Sequence, residues 1–246
     1  MKYSHISEPL SIKQISEEDT EGVFEISGLY PGYGLTIANA LRRALLSSLP
    51  GAAVTQLKVK GVGHEFTTLP KVLEDAVEIS LNLKKIRFII HTSEPQIATL
   101  KVKGEKTVTA KDIKVSSQLE IVNPDAHIAT LTAKDAELEM EITVEKGLGY
   151  VTADAHKTEK LPIGTIAVDS LFSPVVNVSH TIENMRIGDQ TNYNKLILKI
   201  TTDGTITPSD ALHKTGNILR DHFAKIAAID GANLQDKPAA DTEDVA

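Results

Sequence analysis

The chain has 246 residues, of which 41% are hydrophobic and 24% charged, with a formal net charge of −7 and no cysteine. This length allows one large domain or two smaller ones, and the lack of thiols excludes disulfides and thiolate metal sites. The negative charge argues against a chain-wide nucleic-acid-binding surface. The sequence shows neither a signal peptide nor about 18 consecutive apolar residues, so we expect a cytoplasmic protein without membrane contact.

The first predicted helix runs from Leu35 to Leu49, because Pro50 cannot continue it. At about 100° per residue, its buried face is predicted to hold Ile37, Ala40, Leu41, Ala44, Leu45 and Ser48. Leu46 falls opposite that face, flanked by Asn39, Arg42 and Arg43. Arginine is enriched at interfaces, which indicates a partner-binding face. The alternative is a solvated face with one exposed leucine.

The middle of the chain is predicted to be rich in strands, with one further helix. That helix is expected to begin at Thr68, with Pro70 in its first turn, and to end in Lys84 and Lys85. The clearest strand alternates glutamates with apolar residues, which indicates one buried and one solvated face. Its apolar positions are Leu138, Met140, Ile142 and Val144.

The last predicted helix begins at Thr207 and Pro208, a cap followed by a proline suited to the first turn. Leu212, Leu219 and Ile226 recur every seven residues, and Phe223 widens this stripe. Such a seam can pack within the chain or against another helix. The polar, acidic tail after it is expected to be disordered.

Motifs for catalysis or metal binding are all incomplete. His64 and Glu65 begin an HExxH zinc motif, but Thr68 occupies the position of the second histidine. Neither a GxxxxGK phosphate loop nor a GxSxG nucleophile elbow occurs. We therefore assign no catalytic residue, no metal ligand and no cofactor to this chain.

Six segments have distinctive sequences. In chain order they are GLYPGYGLTIANALRRALLSSLPGAAVTQLKVKGVGHEF, EDAVEISLNLK, VTAKDI, GLGYV, PIG and VDSLFSPV. Together they resemble the amino-terminal part of the bacterial RNA polymerase alpha subunit family. The resemblance implies an α+β fold with two subdomains. A dimerisation subdomain would combine residues 1–50 and 178–233, and a mostly β subdomain, residues 51–177, would be inserted between them. Residues 234–246 would form the disordered acidic tail.

The resemblance also implies three sets of binding residues. The family's β-binding determinants correspond to Asn39, Arg42, Arg43, Leu46 and Lys84. The VDxxxSPV segment, associated with β′ binding, corresponds to Val168, Asp169, Ser173, Pro174 and Val175. For these five, a structural role as a strand with a proline bend is the alternative. The bracketing helices would dimerise through Ile37, Leu41, Leu45, Leu212, Leu219, Phe223 and Ile226.

By this resemblance the chain is a non-catalytic subunit of DNA-directed RNA polymerase. It would form a homodimer, serve as the platform on which the β and β′ subunits assemble, and leave magnesium binding to another subunit. Family members usually continue into a carboxy-terminal DNA-binding domain, so DNA contact is expected here only through the complex. One competing hypothesis is a stand-alone module that binds another protein through Arg42, Arg43 and Leu46. Another is an enzyme with an unrecognised site.

Overall fold

The structure is a computed structural model and describes residues 11–156 and 164–229. The predicted lead-in at residues 1–9, the Pro162–Ile163 part of the PIG segment and the acidic tail lie outside the described residues.

The described part of the chain contains four α-helices: α1 (Tyr33–Ser47), α2 (Ala76–Leu83), α3 (Ala153–His156) and α4 (Pro208–Ala227). The strands of its first half are β1 (Ser11–Glu17), β2 (Glu21–Leu29), β3 (Pro50–Val59), β4 (Phe88–Ile90), β5 (Gln96–Lys103), β6 (Lys106–Thr109), β7 (Ile113–Lys114) and β8 (Leu119–Ile121). Those of its second half are β9 (His127–Leu131), β10 (Glu137–Leu148), β11 (Tyr150–Val151), β12 (Thr165–Ala167), β13 (Ser170–Leu171), β14 (Val175–Ile187) and β15 (Gln190–Thr202).

A four-stranded antiparallel sheet joins the two ends of the chain, in the order β1-β2-β15-β14. Helices α1 and α4 pack against this sheet and against each other. Their shared core is aliphatic apart from one phenylalanine, and its most buried members include Phe24, Ala38, Leu45, Leu196, Leu198, Ile200 and Ala211. The sequence-distant strands β2 and β15 pair along their length, so neither end completes this core alone.

A second sheet occupies the middle of the chain, in the order β7-β5-β10-β3-β4-β8, with β12 also paired to β3. Its apolar face belongs to a separate core, whose fully buried members include Leu57, Ile79, Leu83, Leu100, Leu138 and Ile142. This core draws on residues between Val54 and Val168, whereas the first draws on Phe24 to Leu49 and Val175 to Ala211. The α+β class is confirmed, and the two cores support the predicted discontinuous division.

The first helix differs from its prediction at both ends. It begins at Tyr33, because Gly32 has φ +89° and so supplies the left-handed turn that precedes the helix. It ends at Ser47, two residues earlier than predicted. Pro50 already belongs to β3, where it is the first strand residue.

The second predicted helix is shorter than its apolar stripe suggested. It begins at Ala76, where the Asp75 carboxylate accepts the backbone N–H of Glu78 at 2.7 Å as an N-cap. The preceding segment is irregular, with Lys71 at φ +65° and its backbone oxygen bonded to the Thr132 N–H at 2.9 Å. The predicted start at Thr68 was therefore wrong, because a tertiary contact replaces the first two helical turns.

Two other predictions are confirmed. The alternating segment forms β10, with all four of its named apolar positions buried. The last helix begins as expected: the Thr207 hydroxyl accepts the Asp210 N–H at 3.2 Å, and Pro208 is the first helical residue.

Candidate functional site

The outer face of α1 carries the polar residues that the sequence singled out. Asn39, Arg42 and Arg43 are exposed. The helical periodicity of the sequence placed Leu46 opposite the buried face. In the structure Leu46 is half-buried and packs against the first core. The reason is that the buried stripe follows Ala38, Leu41 and Leu45, so it is rotated towards Leu46 by roughly 50°, half a residue step.

The two neighbouring arginines have different environments. Arg42 Nε donates to the backbone oxygen of Val178 in β14 at 3.1 Å, so this side chain fastens α1 to the sheet. Among residues 11–156 and 164–229, no hydrogen bond or ion pair engages the guanidinium of Arg43. Arg43 thus presents all five of its N–H donors to solvent or to a partner.

Lys84 and Asp169 were predicted to belong to different binding sites, but they lie together. Lys84 Nζ is 3.3 Å from Asp169 Oδ2, and Asp169 Oδ1 accepts the Ala153 N–H at 2.8 Å. The hydrogen bond from Ala153, with further bonds from Lys84 and Tyr150, lowers the pKa of Asp169. The same carboxylate raises the pKa of the Tyr150 hydroxyl. Asp169 is therefore a charged anchor that orients both Lys84 and Tyr150.

The other four residues of the VDxxxSPV prediction, Val168, Ser173, Pro174 and Val175, are all buried. The backbone of this segment is bonded within the chain: Val168 N–H donates to Thr55 O at 2.9 Å, and Pro174 O accepts the Asp203 N–H at 3.0 Å. Their burial favours the alternative of a strand with a proline bend over direct partner contact.

The structure shows exposed apolar neighbours that the sequence analysis missed. Tyr150, Leu171 and Val176 are 57%, 42% and 59% exposed. Tyr150 pairs with Leu171 across β11 and β13. Leu171 alternates with the buried residues on either side of it, Ser170 and Phe172, but the proline bend that follows obscured this register in the sequence.

A path of contacts links α1 to the Lys84 cluster. A β-carbon added at Gly149 would lie 3.9 Å from Ser47 O at the end of α1. Gly149 O accepts the Phe172 N–H at 2.8 Å, and Leu171 next to it pairs with Tyr150. We define the Arg–Lys surface as Asn39, Arg42, Arg43, Leu46, Lys84, Tyr150, Asp169 and Leu171.

The predicted dimerisation residues divide into two groups. Leu41 and Leu45 are buried in their own chain, and the half-buried members are Ile37, Leu212 and Leu219. Phe223 and Ile226 are 59% and 60% exposed, and every side chain of residues 221–229 is exposed. The far end of α4 therefore presents an apolar row with no cover from the described chain.

An apolar groove of about 500 Å³ lies beside α4, against the β1–β2 edge of the first sheet. Its apolar lining is Ile12, Phe24, Ile26, Leu41 and Leu212. Ile12 is 64% exposed there, which is unusual for a large aliphatic residue in a strand. The groove and the apolar row of α4 are thus two uncovered apolar features of one subdomain.

Two features are absent from the described residues. Within residues 11–156 and 164–229 no group of three or more His, Cys, Asp or Glu side chains is arranged to hold a metal ion. No helix in that part of the chain has the length and apolar character needed to cross a membrane.

The comparisons with known proteins all indicate the same family. Residues 57–173 match the family described as the RNA polymerase Rpb3/RpoA insert domain. The chain is 51% identical over 209 residues to the DNA-directed RNA polymerase subunit alpha of Symbiobacterium thermophilum, covering 85% of this chain and 66% of that protein. It is 46% identical over 214 residues to the subunit of the same name from Alkaliphilus oremlandii, covering 87% and 67%. This chain belongs to the RNA polymerase alpha subunit family.

A third relative, the alpha subunit of Moorella thermoacetica, is 49% identical over 206 residues and is covered over 66% of its length. The chain thus spans about two thirds of the alpha subunits that it matches. The family match ends at residue 173, just before β14, and begins within β3. Its range corresponds closely to the second core, which supports the inserted subdomain as a separate unit.

Proposed function

We propose that this chain is the assembly subunit of a bacterial DNA-directed RNA polymerase in the cytoplasm. Two copies pair through their first subdomains, and the Arg–Lys surface then binds the β and β′ subunits. The chain contributes no catalytic group. Magnesium and the residues that hold it belong to another subunit, and DNA is contacted only through the complex.

The observation that carries this proposal is the Arg43 guanidinium on the exposed face of α1, which no side chain of the described ranges engages. An exposed arginine among half-buried and exposed apolar side chains has the composition of an interface centre, where arginine and aromatic residues dominate binding energy. Leu46 lies on the same face, and Tyr150 with Leu171 adds apolar surface farther along. In the assembly role, a large partner subunit would bind to this surface.

Dimer formation is supported by the apolar row of α4. A row containing Phe223 and Ile226 at about 60% exposure is costly to leave in water. The groove beside α4 offers apolar surface of the same kind. Two identical copies related by a two-fold axis would each provide one row and one groove, as a symmetric interface requires.

One surface would serve two different partners. In a symmetric dimer each copy carries the same Arg–Lys surface, so one copy would bind β and the other β′. The ion pair of Lys84 with Asp169 joins one predicted β residue to one predicted β′ residue, which supports this arrangement. The Arg–Lys surface would then be supported from beneath by four buried residues, Val168, Ser173, Pro174 and Val175.

The deciding experiment mixes purified protein with its cognate β subunit and measures molar mass by light scattering on a sizing column. We expect wild type to be a dimer that gains one β subunit. Arg43→Glu should remain dimeric and lose β affinity by about 100-fold or more, because charge reversal at an interface centre also leaves partner groups unpaired.

The matched control is Arg186→Glu, which makes the same charge change at another exposed arginine. Arg186 lies eight residues beyond Val178 along β14, about 26 Å away at the usual strand rise. It should bind β like wild type. A wild-type dimer that ignores β would contradict the assembly role, and the stand-alone binding module would replace it.

A further inference from the structure

Helix α1 begins without a cap of its own. The first four N–H groups of a helix have no partner inside it and need one elsewhere. The N-cap residue is Gly32, which has no side chain, and the first turn contains no acidic residue. Tyr33 N–H is bonded to Tyr30 O at 3.0 Å. The remaining donors depend on groups from outside the helix.

Asn194 of β15 supplies the missing acceptor. Its Oδ1 accepts the Gly32 N–H at 2.9 Å and the Gly34 N–H at 3.3 Å. The residue is only 9% exposed, and its Nδ2 donates to Asn184 Oδ1 at 3.4 Å. It is 160 residues away from Gly34 in the sequence, so this is a tertiary contact that no local pattern signals.

The lack of a side chain at Gly34 permits this contact. A β-carbon at residue 34 would lie 2.9 Å from Asn194 Cβ and 3.1 Å from Asn194 Oδ1. These separations are too short for carbon–carbon and carbon–oxygen contact, so only glycine lets the helix approach β15 this closely. The close approach and the two hydrogen bonds therefore belong to one matched arrangement.

We propose that Asn194 is a positioning residue for subunit assembly: it caps α1 from β15 and thereby fixes the helix that presents Arg43. This inference rests on the proposed function. With the bond from Arg42 to Val178, it fastens α1 to the sheet at two points, its first turn and its middle. Arg43 lies nine residues beyond Gly34, about 13.5 Å along the helix, so a tilt at the start displaces it.

A fixed helix matters because binding is stronger when the interface is already in its bound geometry. For a surface that must first settle into place, the apparent affinity scales with the fraction of molecules that already hold the competent arrangement. Arg43 has no partner of its own in the described chain, so its position depends on the helix that carries it. Asn194 keeps that fraction high without touching the partner.

The test compares Asn194→Ala, Asn194→Asp and the control Asn192→Ala. Alanine removes the acceptor, whereas aspartate keeps it and adds a negative charge that the helix N-terminus favours. Asn192 is an exposed asparagine on the same strand. Three properties are measured well below the melting temperature: amide exchange of Gly32 and Gly34, the mass of the dimer, and affinity for the β subunit.

We expect Asn194→Ala to accelerate exchange of both glycine amides by about 5- to 30-fold, as loss of a helix cap does. It should remain a dimer and bind β about fivefold or more weakly. Asn194→Asp should recover part of the β affinity that Asn194→Ala loses, since its carboxylate still accepts from the helix amides although it cannot donate to Asn184. Asn192→Ala should match wild type in all three measurements.

Each other outcome has a distinct meaning. Faster exchange in Asn194→Ala with unchanged β affinity would overturn the positioning role and leave a local cap. Unchanged exchange would overturn the cap itself. If wild type fails to bind β, the proposed function falls and the positioning role falls with it, but the exchange data still report whether Asn194 caps α1.

Discussion

Single residues decide how the surface charges are used. Arg42 and Arg43 are adjacent in sequence and chemically identical, yet the first is bonded to β14 and the guanidinium of the second has no partner among the residues that the structure describes. Sequence reasoning selected both, because a helical wheel gives the direction of a side chain but not its partner. The same limit applies to Val168 and Val175, which the resemblance selected and the fold buries.

The pKa of Glu139, on the acidic face of β10, tests the electrostatics of a single side chain. Glu139 forms ion pairs with Lys101 at 2.7 Å and with Lys60 at 2.8 Å. Hydrogen bonds from Lys101, then from Lys60, lower the pKa of Glu139 from 4.5 to about 2. The folded pKa lies below the unfolded value, so this contribution to stability is complete above pH 4.5 and is lost as the pH falls towards 2.

We expect an NMR titration of the Glu139 carboxyl group to give a midpoint near pH 2. Lys101→Met should raise the pKa of Glu139 towards its ordinary value, because the largest single cause is removed. A midpoint near 4.5 in the wild-type protein would show that these surface ion pairs do not persist in solution.

Secondary-structure elements followed their sequence signals where the signal was local. The cap of α4 and the alternation of β10 are local, and both were predicted. The start of α2 was missed because the Lys71–Thr132 contact is tertiary. Likewise, Asn194 could not be found, since its role depends on β15 lying beside α1.

Helix α4 offers a prediction about pairing between copies. Phe223→Ala should weaken the dimer by about 2 kcal/mol or more, because aromatic residues at the centre of an interface dominate its energy. Lys225→Ala, at an exposed residue about 100° round the same helix from Ile226, is the control and should have little effect. The measurement is light scattering over a dilution series.

Helical content by circular dichroism should be unchanged in both variants, because residues 221–229 are exposed in the single chain and add little to its own core. A Phe223→Ala protein that stays dimeric at every concentration would place the interface elsewhere. The exposure of residues 221–229 already argues against the alternative in which this half of the seam packs within its own chain.

At the scale of the whole molecule, a closely packed junction lies where two strands of the second sheet meet the segment that leads into β14 of the first sheet. A β-carbon at Gly51 would lie 1.9 Å from Phe172 O, and one at Gly147 would lie 2.7 Å from the Phe172 ring. Arg87 of the inserted subdomain pairs with the buried Asp203 at 3.6 Å, just before α4. The resemblance predicted two subdomains but could not predict these contacts.

Gly51→Ala should therefore destabilise the protein by about 1–3 kcal/mol, the usual effect of an added methyl group where backbone has no room to move. Gly63→Ala is the matched control, because nothing lies within 4 Å of its β-carbon position. Urea unfolding of the two variants gives the comparison. Equal stability would mean that the junction yields more easily than its packing indicates.

The discontinuity of the first subdomain also orders events during synthesis. Among the described residues, the buried members of the second core end at Val168, whereas those of the first extend to Ala211. Domains fold as units while the nascent chain lengthens, so the second core can form before the first can close. A chain released early would carry one finished module but no pairing surface, and translation itself would act as a checkpoint before a copy can join the enzyme.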